Sequence, residues 1–493
     1  MMGFQETPQG KLFYENICLE KRIRANHPLR RIDQLIDFDF VYDDVADKYG
    51  NNGQVSVPPP VILKLMLLLL FYNVRSEREL MITLPERLDW LWFLGYDLDS
   101  DIPGHSVLSK ARKRWGVEVF KNFFERIVFQ CVQAGLVDGR KIFMDSSLID
   151  ADASNNSVID TKSLKAQVHK SYKELEARLE ERHADSAQTV NKRYISTTDP
   201  DATIVRRDNP KLRYQVHRAV DEAYEVITAT EATPGDVNEA HRLGALIDQH
   251  NVTTEKIVET IVADSKYGTI DNFLACHDRG VQAHMPDLGK ASKKRNRQNN
   301  IFTEDRFHYD PELDVYICPK GQQLKRKTLH KKRASIDYSA SKKACSACDI
   351  RDQCTRNKTG RTIKRHLRQE ELNQMRTSAK GAKSKRDIRT RQHLMERSFA
   401  RAKRYGFDRA RWRGLWRMHI QEYLICAIQN IQILVSHGAM PKCSPAIALK
   451  QAKATISKNK RQITTIFEAL SNPFCCCAFI SFSQRRMLVL VSG

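Results

Sequence analysis

One apolar strand that runs directly into acidic residues constrains this chain more than any other feature. Lys141–Met144 is predicted to be a short buried strand, and it is followed by Asp145, Asp150 and Asp152. Holding a carboxylate at the end of a buried strand costs free energy, because the charge loses hydration. A hard divalent cation offsets that cost when it binds the carboxylate oxygens. We therefore predict that Asp145 is a metal ligand, with Asp150 and Asp152 in supporting roles.

The same pattern occurs again in the segment Glu259–Gly268. Ile261 and Val262 are apolar strand residues, and Asp264 follows them before a turn that leads into a helix. If the two strands are neighbours, Asp145 and Asp264 lie side by side and repel each other unless cations neutralise them. A single aspartate after a strand is more often a cap or turn residue, so the prediction depends on the pair.

A third candidate ligand lies far along the chain, in a segment with helical periodicity. Glu396, Ala400 and Lys403 fall on one face of a helix, by the i, i+4, i+7 spacing. Two Asp and one Glu offer the oxygen ligands that Mg²⁺ or Mn²⁺ prefers, and two such ions could support an in-line phosphoryl transfer. A lysine at position 403 could then contact a phosphate. Taken alone, Glu396 is more often a surface residue or a salt-bridge partner.

Short β patterns and helical patterns alternate in the middle of the chain. Strands are predicted at Lys141–Met144, Tyr214–Val220, Val226–Thr230, Ile257–Ala263 and Val281–Met285. A polar helix that faces solvent is predicted at about Thr161–Arg182, and a long helical pattern runs from about Arg391 to Val435. The order of strands and helices predicts an α/β fold built on a mixed sheet.

The first 140 residues or so are predicted to be helical. The strongest apolar run is Val61–Val74, which is shorter than the roughly 20 residues that span a membrane and is interrupted by Lys64. It therefore predicts a buried core helix. Ser76 and Glu79 have the spacing of a capping box at the start of the next helix.

A basic helix is predicted at Ser106–Gly116, ahead of a phenylalanine-rich helix at Val117–Ala134. Short helices around a turn are compatible with a helix-turn-helix DNA-binding unit. They are equally compatible with a plain helical bundle that has one solvated basic face, so the spacing alone leaves both alternatives open.

The net charge is +22, from 81 Lys and Arg against 59 Asp and Glu, and it limits the classes of partner that the chain is expected to bind. It favours a polyanion, with nucleic acid ahead of a membrane surface, over a generally basic enzyme without such a partner. Residues Leu288–Thr390 hold 28 Lys and Arg against 11 Asp and Glu, and Lys290–Asn300 within them is predicted to be a flexible basic loop. The opening residues lack the apolar stretch of a signal peptide, which favours the cytoplasm.

Four of the 12 cysteines form a spaced set, C-x26-C-x2-C-x5-C. A C-x2-C pair with two flanking cysteines can bind zinc through four thiolates. Free thiols or an iron–sulfur site are the alternatives, and catalytic zinc is not expected, because the carboxylates already account for the chemistry. The members of the possible structural Zn²⁺ site are Cys318, Cys345, Cys348 and Cys354.

Several motifs together resemble the DDE transposases of bacterial insertion sequences, most closely the group numbered eleven-eighty-two. The resemblance covers about Phe13–Leu470. In the N-terminal part it rests on HPLRRIDQLID, PPPVILKLMLLLL and IPGHSVLSKARKRWG. In the core it rests on MDSSLIDADAS, STTDPDA, YQVHRAVD, ATPGD, VADSKYG and ERSFARAKRYGFDRARWRGL.

The resemblance implies an RNase H-like core in which Asp145, Asp264 and Glu396 bind Mg²⁺, with Lys403 also in the catalytic set. The family signature expects an Arg four residues before the Glu and a Tyr seven residues before it, where this chain has Gln392 and Arg389. It also implies metal-dependent nicking at the element ends and strand transfer by a 3′-hydroxyl. The partner would be double-stranded DNA, bound by a homo-oligomer. The alternatives are a related metal-dependent nuclease and an inactive DNA-binding repressor.

Composition and resemblance together suggest four regions. Residues 1–138 form a helical N-terminal transposase domain, residues 139–290 and 385–440 form the catalytic core, residues 291–384 form a basic insertion with the cysteines, and residues 441–493 form a tail.

Two further features have alternatives that the residues leave open. His217 either faces the site or is packed in the sheet, and Trp412 and Trp416 lie on either a DNA-binding face or a helix core.

Overall fold

The apolar run near residue 60 forms the central helix of the N-terminal region in the computed structural model. Helix α4 covers Pro59–Phe71, has prolines in its first turn, and buries eleven of its thirteen residues. Proline is favoured there because the first turn has no hydrogen bond to lose. The prediction of a buried core helix is therefore confirmed. Among the residues that the structure describes, no helix is long and apolar enough to cross a bilayer.

The structure describes residues 2, 18–50, 52–53, 55–160, 194–205, 209–289 and 300–438. The predicted polar helix at 161–182, nearly all of the predicted basic loop at 290–300, and the tail at 441–493 lie outside these residues. The described residues up to Gly438 belong to one packed unit.

The other N-terminal helices are α1 Leu19–Arg22, α2 Pro28–Leu35, α3 Phe40–Val45, α5 Glu77–Thr83, α6 Leu88–Leu94, α7 Ser106–Trp115 and α8 Glu118–Gln133.

Local signals explain how two of these helices form. Ser76 caps α5, because its hydroxyl accepts a hydrogen bond from the Glu79 amide at 3.1 Å. Helix α8 buries phenylalanines at helical spacing, and Phe124 packs 5.8 Å from Tyr423 near the C-terminal end of the described chain. The N-terminal helices therefore share one hydrophobic core with the rest of the unit.

A mixed six-stranded sheet forms the centre of the unit. Its order is β4-β5-β1-β7-β8, with β6 also paired to β5, and β1 runs antiparallel to β5 but parallel to β7. Helices cover both faces, which confirms the α/β prediction. The strands are β1 Lys141–Asp150, β2 Val158–Asp160, β3 Tyr194–Ser196, β4 Thr203–Val205, β5 Lys211–Asp221, β6 Ile227–Pro234, β7 Thr260–Val262 and β8 Gln282–His284. The helices between them are α9 Leu243–Thr254 and α10 Ile270–Asp278.

Strand β1 is longer than its apolar residues predicted. It was expected to end at Met144, but its ladder with β5 continues to the pair Asp150 and Arg213. The polar residues stay in the strand because an antiparallel partner satisfies their backbone groups. Asp145 therefore lies in the middle of β1 and not at its end.

A second sheet lies between β8 and the C-terminal helices, where the sequence predicted only a basic insertion with cysteines. It is antiparallel, in the order β13-β12-β11-β10-β9, around a small core that includes Tyr316, Leu324 and Tyr338. Its elements are β9 His308–Asp310, β10 Val315–Ile317, β11 Gln323–His330, β12 Ser335–Ser339, α11 Lys342–Ser346, α12 Arg351–Cys354 and β13 Thr362–His366. Most residues of β11 are exposed, and Lys and Arg are frequent among them. The alternation of apolar and polar residues that marks a strand is therefore weak.

The long C-terminal helical pattern divides into two helices, after a short helix α13 at Gln369–Ser378. Helix α14 covers Ala382–Lys403 and α15 covers Leu415–His437. The prediction of one continuous helix from Arg391 to Val435 was wrong. Gly406 and Gly414 both have positive φ in the connection, at 82° and 94°, which breaks the helix.

Candidate metal centre

Asp145 and Asp264 meet at the point where β7 stops. The parallel ladder between β1 and β7 ends with Phe143 opposite Val262, so each aspartate lies two residues beyond the last pair. Strand β1 continues past this point while β7 turns away into a loop. The expected proximity of the two aspartates is therefore present, although only one of them follows a strand end.

Glu239 is the third member of the cluster. One ligand atom each from Asp145, Asp264 and Glu239 lies within 4.8 Å of the others. Glu239 begins a short 3₁₀ helix after β6, and Asn238 caps that helix by accepting a hydrogen bond from the Ala240 amide at 3.0 Å. We did not predict Glu239. Its only sequence signal is its position after the ATPGD motif, behind a capping Asn.

Two cations and two neutral side chains hold these carboxylates in place. Arg391 donates to Asp145, and Lys266 forms an ion pair with Glu239. The hydroxyl of Ser146 donates to Glu239 and accepts a hydrogen bond from the Gln215 amide at 2.7 Å. The chain itself therefore neutralises part of the negative charge of the cluster.

Burial shifts the pKa of two groups at the centre. It raises the pKa of Asp145, and the Arg391 guanidinium opposes that rise. Burial and the three nearby carboxylates raise the pKa of the Tyr267 hydroxyl well above its usual value. That hydroxyl is fully buried and has no hydrogen-bond partner among the described residues. A buried donor without a partner beside three carboxylates fits a site that a hydrated cation completes.

The chemistry of the donor set fits a hard divalent cation. All three side chains offer carboxylate oxygens, which Mg²⁺ and Mn²⁺ prefer over nitrogen or sulfur.

A second group of acids, Asp278 and Glu371 with His277, also comes close together. Arg368 forms ion pairs with both of those acids, which makes that group a surface salt-bridge network.

Glu396 and Lys403 lie outside the cluster of carboxylates. Helix α14 turns a different face toward the sheet, where Asp387 bonds Lys141 at 3.3 Å and His284 at 2.6 Å. The Glu396 side chain is exposed and accepts a hydrogen bond from Gln392, one turn earlier, at 3.3 Å. Their predicted places in a catalytic set stay predictions.

Lys403 is also exposed, and its ammonium lies 3.5 Å from the carboxylate of Asp408. Glu396 and Lys403 do share one face of α14, as the spacing requires, but that face is rotated away from Arg391. A helix with a turn of about 100° per residue cannot present positions 391 and 396 in the same direction.

A broad basic cleft lies between the N-terminal helices and the start of α15. Its volume is about 630 Å³. Trp412 stacks on the guanidinium of Arg112 at 4.0 Å and donates to Glu77 at 3.1 Å, so this tryptophan and one arginine of the predicted basic helix are structural. The arginines that line the cleft are Arg75, Arg78, Arg112, Arg411, Arg413 and Arg417.

The remaining acidic candidates have structural partners. Asp150 forms ion pairs with Lys211 at 2.7 Å and Arg213 at 2.8 Å. Asp152 forms an ion pair with Arg409 at 2.8 Å. These contacts agree with the supporting roles expected for both residues, because each aspartate ties β1 to a neighbouring segment.

The STTDPDA motif has a role that its turn-like composition did not predict. Asp199 accepts hydrogen bonds from the Tyr214 hydroxyl at 2.6 Å and from the Gly414 amide at 3.1 Å. Asp201 accepts from the Leu415 amide at 2.9 Å. Two carboxylates therefore satisfy the free amides at the start of α15, where negative charge is favoured.

His217 is packed inside the sheet. Its Nε2 lies 2.9 Å from the Thr233 hydroxyl, and burial lowers its pKa to about 3.

The four predicted zinc ligands line one small cavity in the second sheet region, of about 30 Å³. Their sulfurs are not gathered as tightly as the three carboxylates.

Two family models match the chain. Residues 17–114 match a model described as Transposase domain (DUF772), and residues 317–435 match one described as Transposase DDE domain. The first match covers the helices up to α7. The second covers the cysteines, Glu396 and most of α15, but not Asp145 or Asp264. No curated protein and no solved structure matches the chain.

Proposed function

We propose that this chain, which belongs to the DDE transposases of insertion sequences, cleaves the ends of its element and joins them to target DNA. The observation that carries this proposal is the meeting of Asp145, Asp264 and Glu239 beside the buried Tyr267 hydroxyl, which has no partner among the described residues. A repressor that only binds DNA has no need for three acids at the place where a phosphate would lie. A DNA substrate also agrees with the expected cytoplasmic location.

An RNase H-like core is part of this proposal. Its support is the strand path β6-β5-β1-β7-β8, in which three antiparallel strands are followed by two parallel ones. The central strand of that path carries Asp145, and its parallel neighbour leads into Asp264. Asp145 therefore lies within the central strand, and Asp264 lies just beyond the end of its parallel neighbour.

The carboxylates would hold the metal, Mg²⁺ or Mn²⁺. Bound divalent ions would supply activation of a water or 3′-hydroxyl and stabilisation of the leaving oxygen. Ser146 and Gln215 orient Glu239 through hydrogen bonds. The buried Tyr267 hydroxyl, which has no partner among the described residues, would donate a hydrogen bond to a group bound in the site. Lys266 and Arg391 supply positive charge next to the scissile phosphate.

The third ligand is the point on which the resemblance and the geometry differ. The resemblance implies Glu396, which is exposed on α14, whereas the geometry favours Glu239, which is already at the cluster. We propose that Glu239 completes the site in the free protein. Glu396 would join the cluster only if α14 rotates or shifts when DNA binds. The exposed position of Glu396 is also the observation that keeps a metal-dependent nuclease as the second candidate function.

The cleft lined by arginines would bind the DNA backbone. Arg75 and Arg78 are exposed on its N-terminal wall, and Arg413 is exposed on the opposite wall. Guanidinium groups on both walls of an open groove suit a polyanion, because each can bind phosphate oxygens through two hydrogen bonds. This surface would account for part of the DNA affinity that the charge of +22 predicts.

The test is a strand-transfer assay with labelled DNA that carries the terminal sequences of the element itself. Wild-type protein with Mg²⁺ should produce nicked ends and joined products. Asp264→Asn should lower both by at least a factor of about 100, since it removes a ligand charge from the metal site. Asp248→Asn is the matched control, because it makes the same chemical change on the exposed surface of α9. Equal activity of Asp264→Asn and wild type would disprove the proposal, and nicking without joining would support the nuclease.

A further inference from the structure

We propose that Cys318, Cys345, Cys348 and Cys354 bind one structural zinc ion, which fastens the helices α11 and α12 to the second sheet. The four residues come from three separate segments of the chain. Cys318 follows β10, Cys345 lies in α11 with Cys348 just after it, and Cys354 ends α12. All four line the same cavity of about 30 Å³, which is the size of an ion site and too small for an organic ligand.

The turn after β10 is shaped to present a thiolate. The Cys318 amide donates to the Gln322 carbonyl at 2.9 Å, and the Gly321 amide donates to the Cys318 carbonyl at 2.8 Å. The turn closes because Gly321 has a φ of 76°. The Gln322 amide then points at the Cys318 sulfur, at 3.3 Å. A backbone N–H aimed at sulfur stabilises its charged form, which is the form that binds metal.

The other side of the cavity is also built around sulfur. Gly360 has a φ of 105°, and a Cβ at this position would come within 3.0 Å of the Cys345 sulfur. Only glycine therefore lets the chain pass so close to the thiol. Arg361, the next residue, donates to the Cys354 carbonyl at 3.1 Å and lines the cavity. Its positive charge favours thiolates in this half-buried place.

All four are free thiols, so no disulfide competes with a metal ion for their sulfurs. Binding requires the sulfurs to close on the ion from their present wider spacing, and side-chain rotation about χ1 can provide that movement.

A structural metal would reinforce the small core of the second sheet. Among the described residues, its core cluster contains seven buried apolar residues, and much of β11 is exposed. A structural metal is a common addition to a core of this size. Four sulfur ligands suit zinc and exclude the hard cations proposed for the carboxylates. The two sites therefore bind different metals for different purposes.

The experiment uses the full chain, expressed with zinc in the medium and purified without chelators. Elemental analysis should find about one zinc per chain. The variants Cys348→Ser and Cys354→Ser should each lose most of that zinc, whereas Cys276→Ser, at a buried cysteine outside the cavity, should keep it. Titration of wild type with a mercurial should release the zinc to a pyridylazo dye as the thiols react.

A second measurement does not depend on the variants folding. Refolding of wild type with Co²⁺ should give the visible absorption bands of a tetrahedral cobalt–thiolate centre, which added Zn²⁺ should erase. Absence of zinc from wild type, iron with sulfide in its place, or a cobalt spectrum without thiolate bands would each overturn the proposal. None of these results depends on strand transfer, so failure of the zinc site and failure of the proposed function can be told apart.

Discussion

The guanidinium of Arg391 on α14 donates a hydrogen bond to the carboxylate of Asp145 on β1, across 246 residues of sequence. Both side chains are mostly shielded from solvent, with 11% and 25% of their surfaces exposed. The arginine therefore occupies an oxygen that a metal ion would use. Metal binding must displace or share this contact, so Arg391 should control how tightly the free protein holds its ion.

Replacing Arg391 by Gln should tighten metal binding. Removal of one positive charge next to the carboxylates should lower the Mn²⁺ dissociation constant by about tenfold, which corresponds to roughly 1.4 kcal/mol. Isothermal titration calorimetry of the free protein measures this change. The exposed Arg389→Gln on the same helix is the control and should leave the constant unchanged. Equal constants for Arg391→Gln and wild type would show that the contact with Asp145 does not compete with metal.

The identity of the third ligand can be decided in the same titration. Without DNA, Glu239→Gln should weaken Mn²⁺ binding by about tenfold or more, because it removes a charged ligand. Glu396→Gln should change it by less than about twofold, since its side chain is exposed outside the cluster. The opposite pattern would assign the ion to Glu396 and remove Glu239 from the site. Loss of strand transfer in Glu396→Gln with unchanged Mn²⁺ binding would indicate that α14 moves on DNA.

A buried ion pair should be essential to the stability of the core. Arg218 on β5 is fully buried, bonds Glu422 on α15 at 2.6 Å and lies 4.9 and 4.7 Å from the ring centroids of Phe399 and Phe407. Glu422→Gln should lower the free energy of unfolding by about 3–5 kcal/mol, because it leaves a buried charge without its counter-ion. Urea unfolding followed by circular dichroism measures the change. Glu222→Gln, at an exposed pair with Lys141, should cost less than about 1 kcal/mol.

The arginine cleft predicts the salt dependence of DNA binding. The double variant Arg75→Ala with Arg78→Ala should weaken binding and reduce the slope of log K against log salt by about 0.9 for each phosphate that is no longer neutralised. Fluorescence anisotropy at several salt concentrations gives the slope. Arg140→Ala, an exposed arginine paired with Asp138 outside the cleft, should leave the slope unchanged. An unchanged slope in the double variant would place the DNA elsewhere.

Two buried histidines should make the stability depend on pH. Burial lowers the pKa of His217 to about 3 and also lowers that of His250, so the folded protein disfavours the charged form of both. The unfolded chain takes up protons on its histidines near pH 6.5. Stability is therefore complete above about pH 6.5 and should fall as the pH drops below it, by up to about 1.4 kcal/mol per pH unit for His217 down to about pH 3, with a loss in the same direction from His250.

Urea unfolding between about pH 7.5 and 5.5 tests this dependence. His250→Gln should reduce the slope by the contribution of one histidine, whereas His393→Gln, at an exposed position of α14, should not. A stability that stays constant over this range in wild type would show that the two histidines do not titrate as their burial requires.

Local signals were sufficient for several elements. The buried helix α4 follows from its apolar run after Pro58–Pro60, which only Lys64 interrupts, and the start of α5 follows from Ser76 and Glu79. Asp264 follows an apolar strand in the structure as in the sequence. Each of these inferences uses residues only a few positions apart, where propensity and periodicity act directly.

Other elements could not be read from local patterns. Strand β1 extends to Asp150 because β5, far along the chain, supplies its hydrogen bonds. The strands of the second sheet carry basic residues on their solvent faces, which weakens the alternation that would reveal them. The two glycines that separate α14 from α15 were visible in the sequence, but their positive φ was not.

The sequence by itself determined which kinds of side chain form the candidate centre better than it determined which residues belong to it. It supplied aspartates after or within apolar strands, and these two meet because neighbouring strands in register place equivalent positions side by side. Only the tertiary structure decided that Glu239 lies beside the two aspartates and that Glu396 faces solvent. The rotation of a helix about its own axis, and the path of a loop after a strand, depend on contacts with distant residues such as Arg391 with Asp145. No short-range pattern contains that information.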